Sequence, residues 1–336
     1  MKLLITGGTG FIGSHTAIEL LEQGYDVVIL DNLSNSQKEV VKVIEEITKK
    51  KAVFYEGDVC DKTLLESIFK EHKIDAVIHF AGYKAVGESV KQPLKYYDNN
   101  LISTIHLLEV MEQYNCKKLV FSSSATVYGN PKTLPIKEDF PLSTTNPYGT
   151  TKLFIEQMLQ DISAADASWS IANLRYFNPI GAHESGLLGE SPNSIPNNLM
   201  PYIVKVAAKE LDSLQIFGND YPTPDGTGVR DYIHVVDLAH GHLKALEYLT
   251  DHTGIEAFNL GTGTGYSVLD VLTTFSKVNH VEVPYQIVQR REGDIPSCYA
   301  DSSKAEQLLG FKTTKSLEEM CKDAYHFIEV QNKMLK

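Results

Sequence analysis

Short apolar runs alternate with amphipathic stretches through the first half of the chain. Five of these runs predict β-strands, at residues 2–6, 27–30, 52–55, 76–80 and 118–122, with helical patterns between them. The runs are apolar throughout instead of alternating with polar residues, which is typical of parallel strands that helices cover on both faces. The pattern therefore predicts an α/β fold with a doubly wound parallel sheet, continuing through about residue 176.

The pattern changes after residue 176. Loops rich in proline, glycine and asparagine, such as 178–198 and 218–228, separate shorter helical stretches. We therefore predict one domain over residues 1–176 and a smaller C-terminal α/β lobe over most of residues 177–336, with some segments returning to the first domain.

Composition and charge exclude several classes of protein. The 336 residues carry a formal net charge of -12, which argues against a nucleic-acid surface because such surfaces need a basic stripe. No segment approaches the roughly 20 apolar residues of a membrane span, so we expect a cytoplasmic protein that binds no membrane. Cys60, Cys116, Cys298 and Cys321 are scattered without a Cys-x-x-Cys pair, so the sequence predicts neither a metal site nor a redox motif.

Arginine is rare in this chain. Of 31 basic residues only Arg175, Arg230, Arg290 and Arg291 are arginines. An arginine in a chain so rich in lysine indicates a place where the planar guanidinium is needed, for example to bind a phosphate. The alternative for any one of them is an ordinary solvated surface side chain.

A glycine-rich loop follows the first predicted strand. Gly7, Gly10 and Gly13 precede a helical stretch, and Asp31 closes the second strand about twenty residues on. Such a loop lets a pyrophosphate approach the backbone at a helix N-terminus, while the carboxylate accepts hydrogen bonds from the adenosine ribose. The same carboxylate would repel a 2′-phosphate, so the pattern predicts NAD, not NADP; the alternative is a tight turn with a helix-capping aspartate. This Rossmann pattern resembles the extended short-chain dehydrogenases/reductases.

Tyrosine followed four residues later by lysine is a second candidate feature. The spacing occurs three times, at Tyr114 with Lys118, Tyr128 with Lys132 and Tyr148 with Lys152. Only Tyr148 begins a long helical stretch, and Pro147 before it suits a first helical turn, so only this pair is expected to share one helix face.

A lysine beside Tyr148 would make it a usable base. A tyrosine titrates near pH 10, and both the Lys152 ammonium and an oxidised nicotinamide ring would favour its phenolate form. The run 122–124 closes the fifth strand at the edge where such sheets bind ligands, so one of its serines can offer a hydroxyl to the reacting oxygen. For the other two serines the alternative is a merely polar strand end.

Longer segments carry a more specific resemblance. They lie at residues 7–15, 78–89, 122–129, 175–179, 195–201, 228–235 and 290–294, and together they resemble the UDP-glucose 4-epimerase family. The resemblance implies that Ser124, Tyr148 and Lys152 are catalytic, and that NAD stays bound and is regenerated in each turnover. It implies a UDP-sugar substrate whose UDP end is held firmly while the 4-keto sugar rotates to present its other face.

The resemblance also implies binding residues. Those expected at NAD are Gly7, Gly10, Phe11, Ile12, Gly13, Asp31, Asn32, Asn35, Asp58, Val59, Phe80, Ala81, Gly82, Lys84, Asn99, Ser122, Tyr148, Lys152 and Phe177. Those expected at the UDP-sugar are Lys84, Ser124, Tyr148, Asn178, Asn198, Leu199, Gln215, Phe217, Arg230, Arg291, Asp294 and Cys298.

Two other functions remain as alternatives. A nucleotide-sugar 4,6-dehydratase needs an acidic pair beside the catalytic hydroxyl, where this chain has Ala125 and Thr126. A regulator that senses NAD without catalysis would be expected to have lost part of the set Ser124, Tyr148 and Lys152.

Two finer expectations concern substrate range and assembly. Some members of the family carry tyrosine where this chain has Cys298, so we expect room for N-acetylated UDP-sugars; the alternative is a buried cysteine without a role in specificity. Helical stretches 99–114 and 152–161 are apolar on more than one face, as a homodimer interface or burial inside the molecule would each require.

Overall fold

The computed structural model describes residues 1–191, 198–291 and 294–334. Its strands are β1 (Lys2–Thr6), β2 (Asp26–Asp31), β3 (Val53–Glu56), β4 (Ala76–His79), β5 (Lys118–Ser124), β6 (Ser170–Tyr176), β7 (Asn178–Ile180), β8 (Leu214–Phe217), β9 (Val229–His234), β10 (Gly254–Leu260), β11 (Gly265–Ser267), β12 (Tyr285–Val288) and β13 (Ser297–Cys298). Its helices are α1 (Phe11–Glu22), α2 (Glu39–Thr48), α3 (Lys62–Glu71), α4 (Val86–Lys91), α5 (Pro93–Gln113), α6 (Pro147–Ala165), α7 (Leu199–Ala207), α8 (Val235–Asp251), α9 (Val268–Asn279), α10 (Ser303–Leu309) and α11 (Leu317–Met334). Segments 195–201 and 290–294 of the resemblance lie partly outside the described residues.

Seven parallel strands form the main sheet, in the order β10-β6-β5-β4-β1-β2-β3. The five strands predicted from apolar runs are all present, and the predicted fold class is confirmed. The fifth strand runs two residues further than predicted, to Ser124. Because strand order reverses between β1 and β4, a crevice is expected at the carboxyl ends of these two strands.

Burial of β1 shows why its sequence is apolar throughout. Leu3, Leu4 and Ile5 are all fully buried. Leu3 and Ile5 pack into a core with α1 and α8, whereas Leu4 faces a second core with α3 and α5. Alternate side chains of one strand therefore fill both layers, as a doubly wound sheet requires.

The C-terminal lobe is built around β9. Strands β7 and β13 pair with β9 in parallel and β11 pairs with it antiparallel, so this smaller sheet is mixed. Its core includes Ile203 from α7, Phe275 from α9 and Met320 from α11. Strand β10 leaves this lobe to join the main sheet, and α8 packs on α1. The division of the chain at residue 176 stays a prediction.

A buried ion pair fastens α6 to the sheet. The Arg175 guanidinium on β6 donates to Glu156 Oε2 on α6 at 2.5 Å, and both side chains are almost fully buried. Arg175 also donates to the Tyr128 hydroxyl at 3.0 Å, and Ser123 on β5 donates to Glu156 Oε1 at 2.5 Å. This arginine is therefore neither a phosphate ligand nor a surface residue but part of the interior.

Among the residues described, no helix is both long enough and apolar enough to cross a membrane.

Replacing Arg175 alone is expected to destabilise the fold strongly. Arg175→Met should lower the free energy of unfolding by about 3–5 kcal/mol, because Glu156 is left buried without its counter-ion. The double variant Arg175→Met/Glu156→Leu should recover more than half of that loss, since neither charge remains. Urea denaturation followed by circular dichroism measures both changes.

The control variant is Arg290→Met, which removes an exposed arginine paired with Asp220. It should cost no more than about 1 kcal/mol. Equal losses in the single and double variants would contradict the view that the unpaired charge causes the destabilisation.

Candidate active site

The segment from the end of β1 into α1 has no room for a side chain at Gly7 or Gly13. Gly7 has φ +70°, and a Cβ there would lie 2.9 Å from the Ala81 nitrogen. A Cβ on Gly13 would lie 2.3 Å from the Gly7 carbonyl oxygen. The loop therefore lies directly against the segment after β4, where Phe80, Ala81 and Gly82 are found.

This loop offers backbone N–H groups to an anion. Helix α1 begins at Phe11, and its N-cap residue Gly10 makes no side-chain capping hydrogen bond. The first N–H groups of a helix have no partner inside the helix, and the helix dipole favours negative charge there. Phe11, Ile12 and Gly13 thus suit a pyrophosphate.

The Asp31 carboxylate is fixed at the end of β2. It is 8 % exposed and accepts hydrogen bonds from the backbone N–H groups of Thr9 at 3.1 Å and Leu33 at 2.9 Å. The Ser36 hydroxyl donates to it as well, at 3.1 Å. A carboxylate held in this way can receive a ribose diol without first being ordered.

Asn32, Asp58 and Val59 line the neighbouring edge. Asn32 Nδ2 donates to Asp58 Oδ2 at 2.8 Å, and the Cys60 N–H donates to Asp58 Oδ1 at 2.8 Å. Burial acts to raise the pKa of Asp58, but these hydrogen bonds outweigh it and lower the pKa. Val59 is buried, whereas Asn35 is exposed in the loop after β2.

Tyr148 and Lys152 lie one turn apart at the start of α6. Asn146 caps this helix by accepting the Gly149 N–H at 2.8 Å. The Lys152 ammonium lies 6.0 Å from the centre of the Tyr148 ring and donates to the Ser122 carbonyl oxygen at 2.6 Å. Burial lowers the pKa of Lys152 to about 8, although the Glu156 carboxylate acts in the opposite direction.

The other two tyrosine–lysine pairs do not share a helix. Tyr114 follows the end of α5, and Lys118 begins β5. Tyr128 ends a short 3-10 helix (Ala125–Tyr128), and Gly129 after it has φ +59°. Among the three pairs, only Tyr148 and Lys152 are held on one face.

The hydroxyl of Ser124 is oriented by a residue that the sequence did not single out as a site residue. Thr126 donates to Ser124 Oγ twice, from its N–H at 3.2 Å and from its hydroxyl at 3.0 Å. Because both lone pairs of this oxygen are then engaged, the Ser124 proton is free to be donated. Sequence reasoning used Thr126 only as a residue that is not acidic, since its bond to Ser124 depends on the 3-10 turn.

In the protein alone Tyr148 is not set to lose its proton. Burial raises its pKa, and the Ser124 hydroxyl beside it acts only partly in the opposite direction. Lys152 directs its ammonium to the Ser122 carbonyl. A further positive charge nearby would favour the phenolate form of Tyr148.

Two hydrogen-bond networks support the candidate catalytic side chains. The hydroxyl of Tyr176 is hydrogen-bonded to that of Ser122, whose carbonyl holds Lys152. The Asn100 side chain accepts the Tyr83 N–H at 2.8 Å and donates to the Thr151 hydroxyl at 3.0 Å, which ties the loop after β4 to α6. Asn99, the predicted residue, donates to Asn100 Oδ1 at 2.9 Å.

The remaining predicted residues lie mainly in the C-terminal lobe. Asn178 is exposed on β7, and Gln215 is exposed on β8. Asn198 is the N-cap residue of α7, and Leu199 begins that helix. Asp294, shortly before β13, is exposed. Phe177 is buried, and the partly buried Cys298 packs against the small core that contains it. Lys84 lies in the loop after β4, and its ammonium is 3.4 Å from Glu190 Oε1.

Two arginines of this lobe are available to an anion. Arg230 on β9 lies opposite Cys298 in the parallel pairing and donates to the Val229 carbonyl at 2.8 Å. The Arg291 guanidinium stacks on the Phe217 ring at 3.9 Å. Neither forms an ion pair with any carboxylate that the structure describes, whereas Arg290 pairs with Asp220 and stacks on Tyr221.

Comparison with known proteins gives consistent matches over nearly the whole chain. The family model described as GDP-mannose 4,6 dehydratase matches residues 4–324. A UDP-glucose 4-epimerase of Bacillus subtilis is 61% identical over 327 residues, which are 97% of this chain and 96% of that protein.

Solved structures agree. The UDP-glucose 4-epimerase of Bifidobacterium longum, in complex with NAD+ and UDP, is 56% identical with a TM-score of 0.96, covering 99% of both chains. The UDP-Glc/GlcNAc 4-epimerase of Campylobacter jejuni is 38% identical with a TM-score of 0.85, covering 98% of this chain and 99% of that one. This chain belongs to the UDP-glucose 4-epimerase family.

The description of the matching family model names a dehydratase, but the residues beside Ser124 suit dehydration less well than epimerisation. In this member of the UDP-glucose 4-epimerase family the two positions after Ser124 carry a methyl group and a hydroxyl, and the hydroxyl of Thr126 is already bonded to Ser124. Neither residue can protonate a leaving hydroxyl at neutral pH.

Proposed function

We propose that this chain interconverts UDP-glucose and UDP-galactose, with NAD as a tightly bound cofactor. The observation that carries the proposal is the convergence of Ser124, Tyr148 and Lys152 at the carboxyl edge of the sheet, beside the glycine loop. Membership of the UDP-glucose 4-epimerase family supports the choice of substrate.

The site fits NAD in three respects. The N-terminus of α1 suits the pyrophosphate, Asp31 suits the ribose diol, and the buried Lys152 ammonium, on the same helix turn as Tyr148, would hold the nicotinamide ribose. When bound, NAD would supply a reversible two-electron oxidant for C4 of the sugar, and its oxidised nicotinamide would bring a positive charge to the site.

The catalytic residues then divide the proton chemistry. Tyr148 takes the proton of the sugar 4-hydroxyl and returns it on the other face. Ser124, whose oxygen already accepts two hydrogen bonds from Thr126, keeps its proton and donates a hydrogen bond to the reacting oxygen. Lys152 stabilises the Tyr148 phenolate by its charge.

We infer that the two lobes divide the binding. Residues 1–176 would mainly hold NAD and residues 177–336 the UDP-sugar. Arg230 and Arg291, which lack a described carboxylate partner, would bind the diphosphate, and Phe217 with Asp294 would hold the uridine. If the binding energy is concentrated on UDP, the 4-keto sugar is free to rotate and present its other face.

Cys298 is proposed to widen the sugar pocket. It is partly buried on β13, opposite Arg230 and beside the core that contains Phe177. Its side chain is small enough to leave space for an N-acetyl group. We therefore infer that UDP-N-acetylglucosamine and UDP-N-acetylgalactosamine are also interconverted.

The outer face of α5 and α6 is proposed to form a homodimer interface. Leu107 and Leu159 are buried against the sheet, so burial explains only the inner face of these helices. Leu94 is 80 % exposed and Phe154 is 49 % exposed, and the Phe154 ring stacks on Tyr97. Such a patch is more apolar than a monomer surface needs.

We expect the protein to work in the cytoplasm. None of the four cysteines forms a disulfide, which fits a reducing compartment.

The central test is turnover without added cofactor. Purified protein incubated with UDP-galactose should produce UDP-glucose, and Tyr148→Phe should reduce the rate by about 10²–10⁴-fold, because the general base is lost. UDP affinity should stay within a few-fold. Tyr114→Phe, at another of the tyrosine–lysine pairs, should retain full activity. Product that requires continual addition of NAD and accumulates NADH would show a dehydrogenase instead.

Enlarging residue 298 should separate the two substrate classes. Cys298→Tyr should abolish activity on UDP-N-acetylglucosamine while retaining most activity on UDP-galactose, because the phenol ring fills the space beside C2. Cys298→Ala should retain both activities. A coupled assay with each substrate measures the ratio, and an equal loss of both activities in Cys298→Tyr would count against the proposed pocket.

A charge on the outer face of α6 should prevent dimerisation. Phe154→Glu should shift the protein from dimer to monomer in light scattering coupled to gel filtration, because a carboxylate cannot be buried there unpaired. Ile287→Glu, at an exposed position of β12, should leave the assembly unchanged. A monomeric wild-type protein would refute the interface.

A further inference from the structure

One carboxylate oxygen joins the two parts of the candidate site. Glu190 Oε1 lies 3.4 Å from the Lys84 ammonium and accepts a hydrogen bond from Asn198 Nδ2 at 3.2 Å. Lys84 belongs to the loop after β4, and Asn198 caps α7 in the C-terminal lobe. Both are residues that the resemblance places on the ligands, whereas Glu190 is assigned no role.

A rigid hairpin places Glu190. Ala182 and Gly189 form an antiparallel bridge, and the His183 N–H donates to the Leu188 carbonyl at 2.9 Å. Leu188 is 4 % exposed within the main core. A Cβ on Gly189 would lie 2.5 Å from the Phe327 ring, so the hairpin is packed tightly on α11. The backbone that carries Glu190 is therefore held in a fixed position.

The two donors, Lys84 and Asn198, are more exposed than Glu190 and are therefore held less firmly by their surroundings. The Lys84 side chain is 52 % exposed, whereas that of Glu190 is 12 % exposed. A lysine has four rotatable side-chain bonds, and ordering such a side chain on binding costs affinity. A shared acceptor on a rigid hairpin removes part of that cost before the ligand arrives.

We propose that Glu190 is a positioning residue that holds Lys84 and Asn198 in the arrangement needed to bind the UDP-sugar across the two lobes. The inference rests on the proposed function, which supplies the ligand. Glu190 acts through its two neighbours and takes no part in proton transfer. Its loss should therefore weaken binding without slowing the chemical steps.

The test compares Glu190→Ala and Glu190→Gln with the wild-type protein. Glu190→Ala should raise KM for UDP-galactose about 10-fold, as expected for two side chains that lose their order, while kcat stays within about two-fold. Glu190→Gln keeps an acceptor for Asn198 but not the charge for Lys84, so its KM should rise about three-fold. Glu184→Gln removes an exposed carboxylate of the same hairpin and should leave KM unchanged.

Coupling to Lys84 distinguishes positioning from a general structural effect. In a Lys84→Met background, Glu190→Ala should raise KM by clearly less than in the wild type, because one of its two donors is already gone. An equal increase in both backgrounds, an unchanged KM in Glu190→Ala, or a parallel fall of kcat and thermal stability would each overturn the inference.

Binding measured without turnover separates this inference from the proposed function. Titration calorimetry with UDP-glucose in a Tyr148→Phe background, where turnover is nearly absent, should show the same 10-fold loss of affinity on adding Glu190→Ala. A wild-type protein that binds UDP-glucose but does not epimerise it would refute the proposed function alone. An unchanged Kd in Glu190→Ala, with active wild-type protein, would refute the positioning role alone.

Discussion

The buried pair of Arg175 and Glu156 is the interaction on which the candidate site depends. It joins β6 to α6, and Ser123 on β5 donates to the same carboxylate. Successive side chains of a strand point to opposite faces. With Ser123 directed to the ion pair, Ser122 and Ser124 face the other way, where one bonds Tyr176 and the other lies beside Tyr148. The run of three serines thus contains one residue for the interior and two for the site.

Burial makes this site dependent on its ligands. It raises the pKa of Tyr148 and lowers the pKa of Lys152 to about 8, so both groups are pushed toward their neutral forms. A positive charge beside Tyr148 would favour its phenolate form, and the oxidised nicotinamide of NAD would carry one in addition to Lys152. Base strength at Tyr148 would then appear only in the loaded protein.

Sequence reasoning reached the parts of the molecule that local patterns specify. The glycine loop, Asp31 and the start of α6 each follow from fewer than about thirty consecutive residues, within one βαβ unit. Contacts between distant segments were not accessible: Glu190 meets Lys84 across 106 residues of chain, and Tyr128 meets Asn259 across 131. Arg175 is an example. The rarity of arginine in this chain indicated a bound anion such as a phosphate, but the partner of Arg175 is the internal carboxylate of Glu156. The return of β10 to the main sheet likewise has no local signal.

Long-range contacts also join the C-terminal half of the sequence to the main sheet. Strand β10 and helix α8 belong to the C-terminal half of the sequence but pack on β6 of the main sheet and on α1. Glu190 in turn connects Lys84, in the loop after β4, to Asn198 at the start of α7. A firm hold on the nucleotide, combined with few fixed contacts to the hexose, is what inversion at C4 requires. A site that held the sugar ring equally firmly would bind its substrate well and convert it slowly.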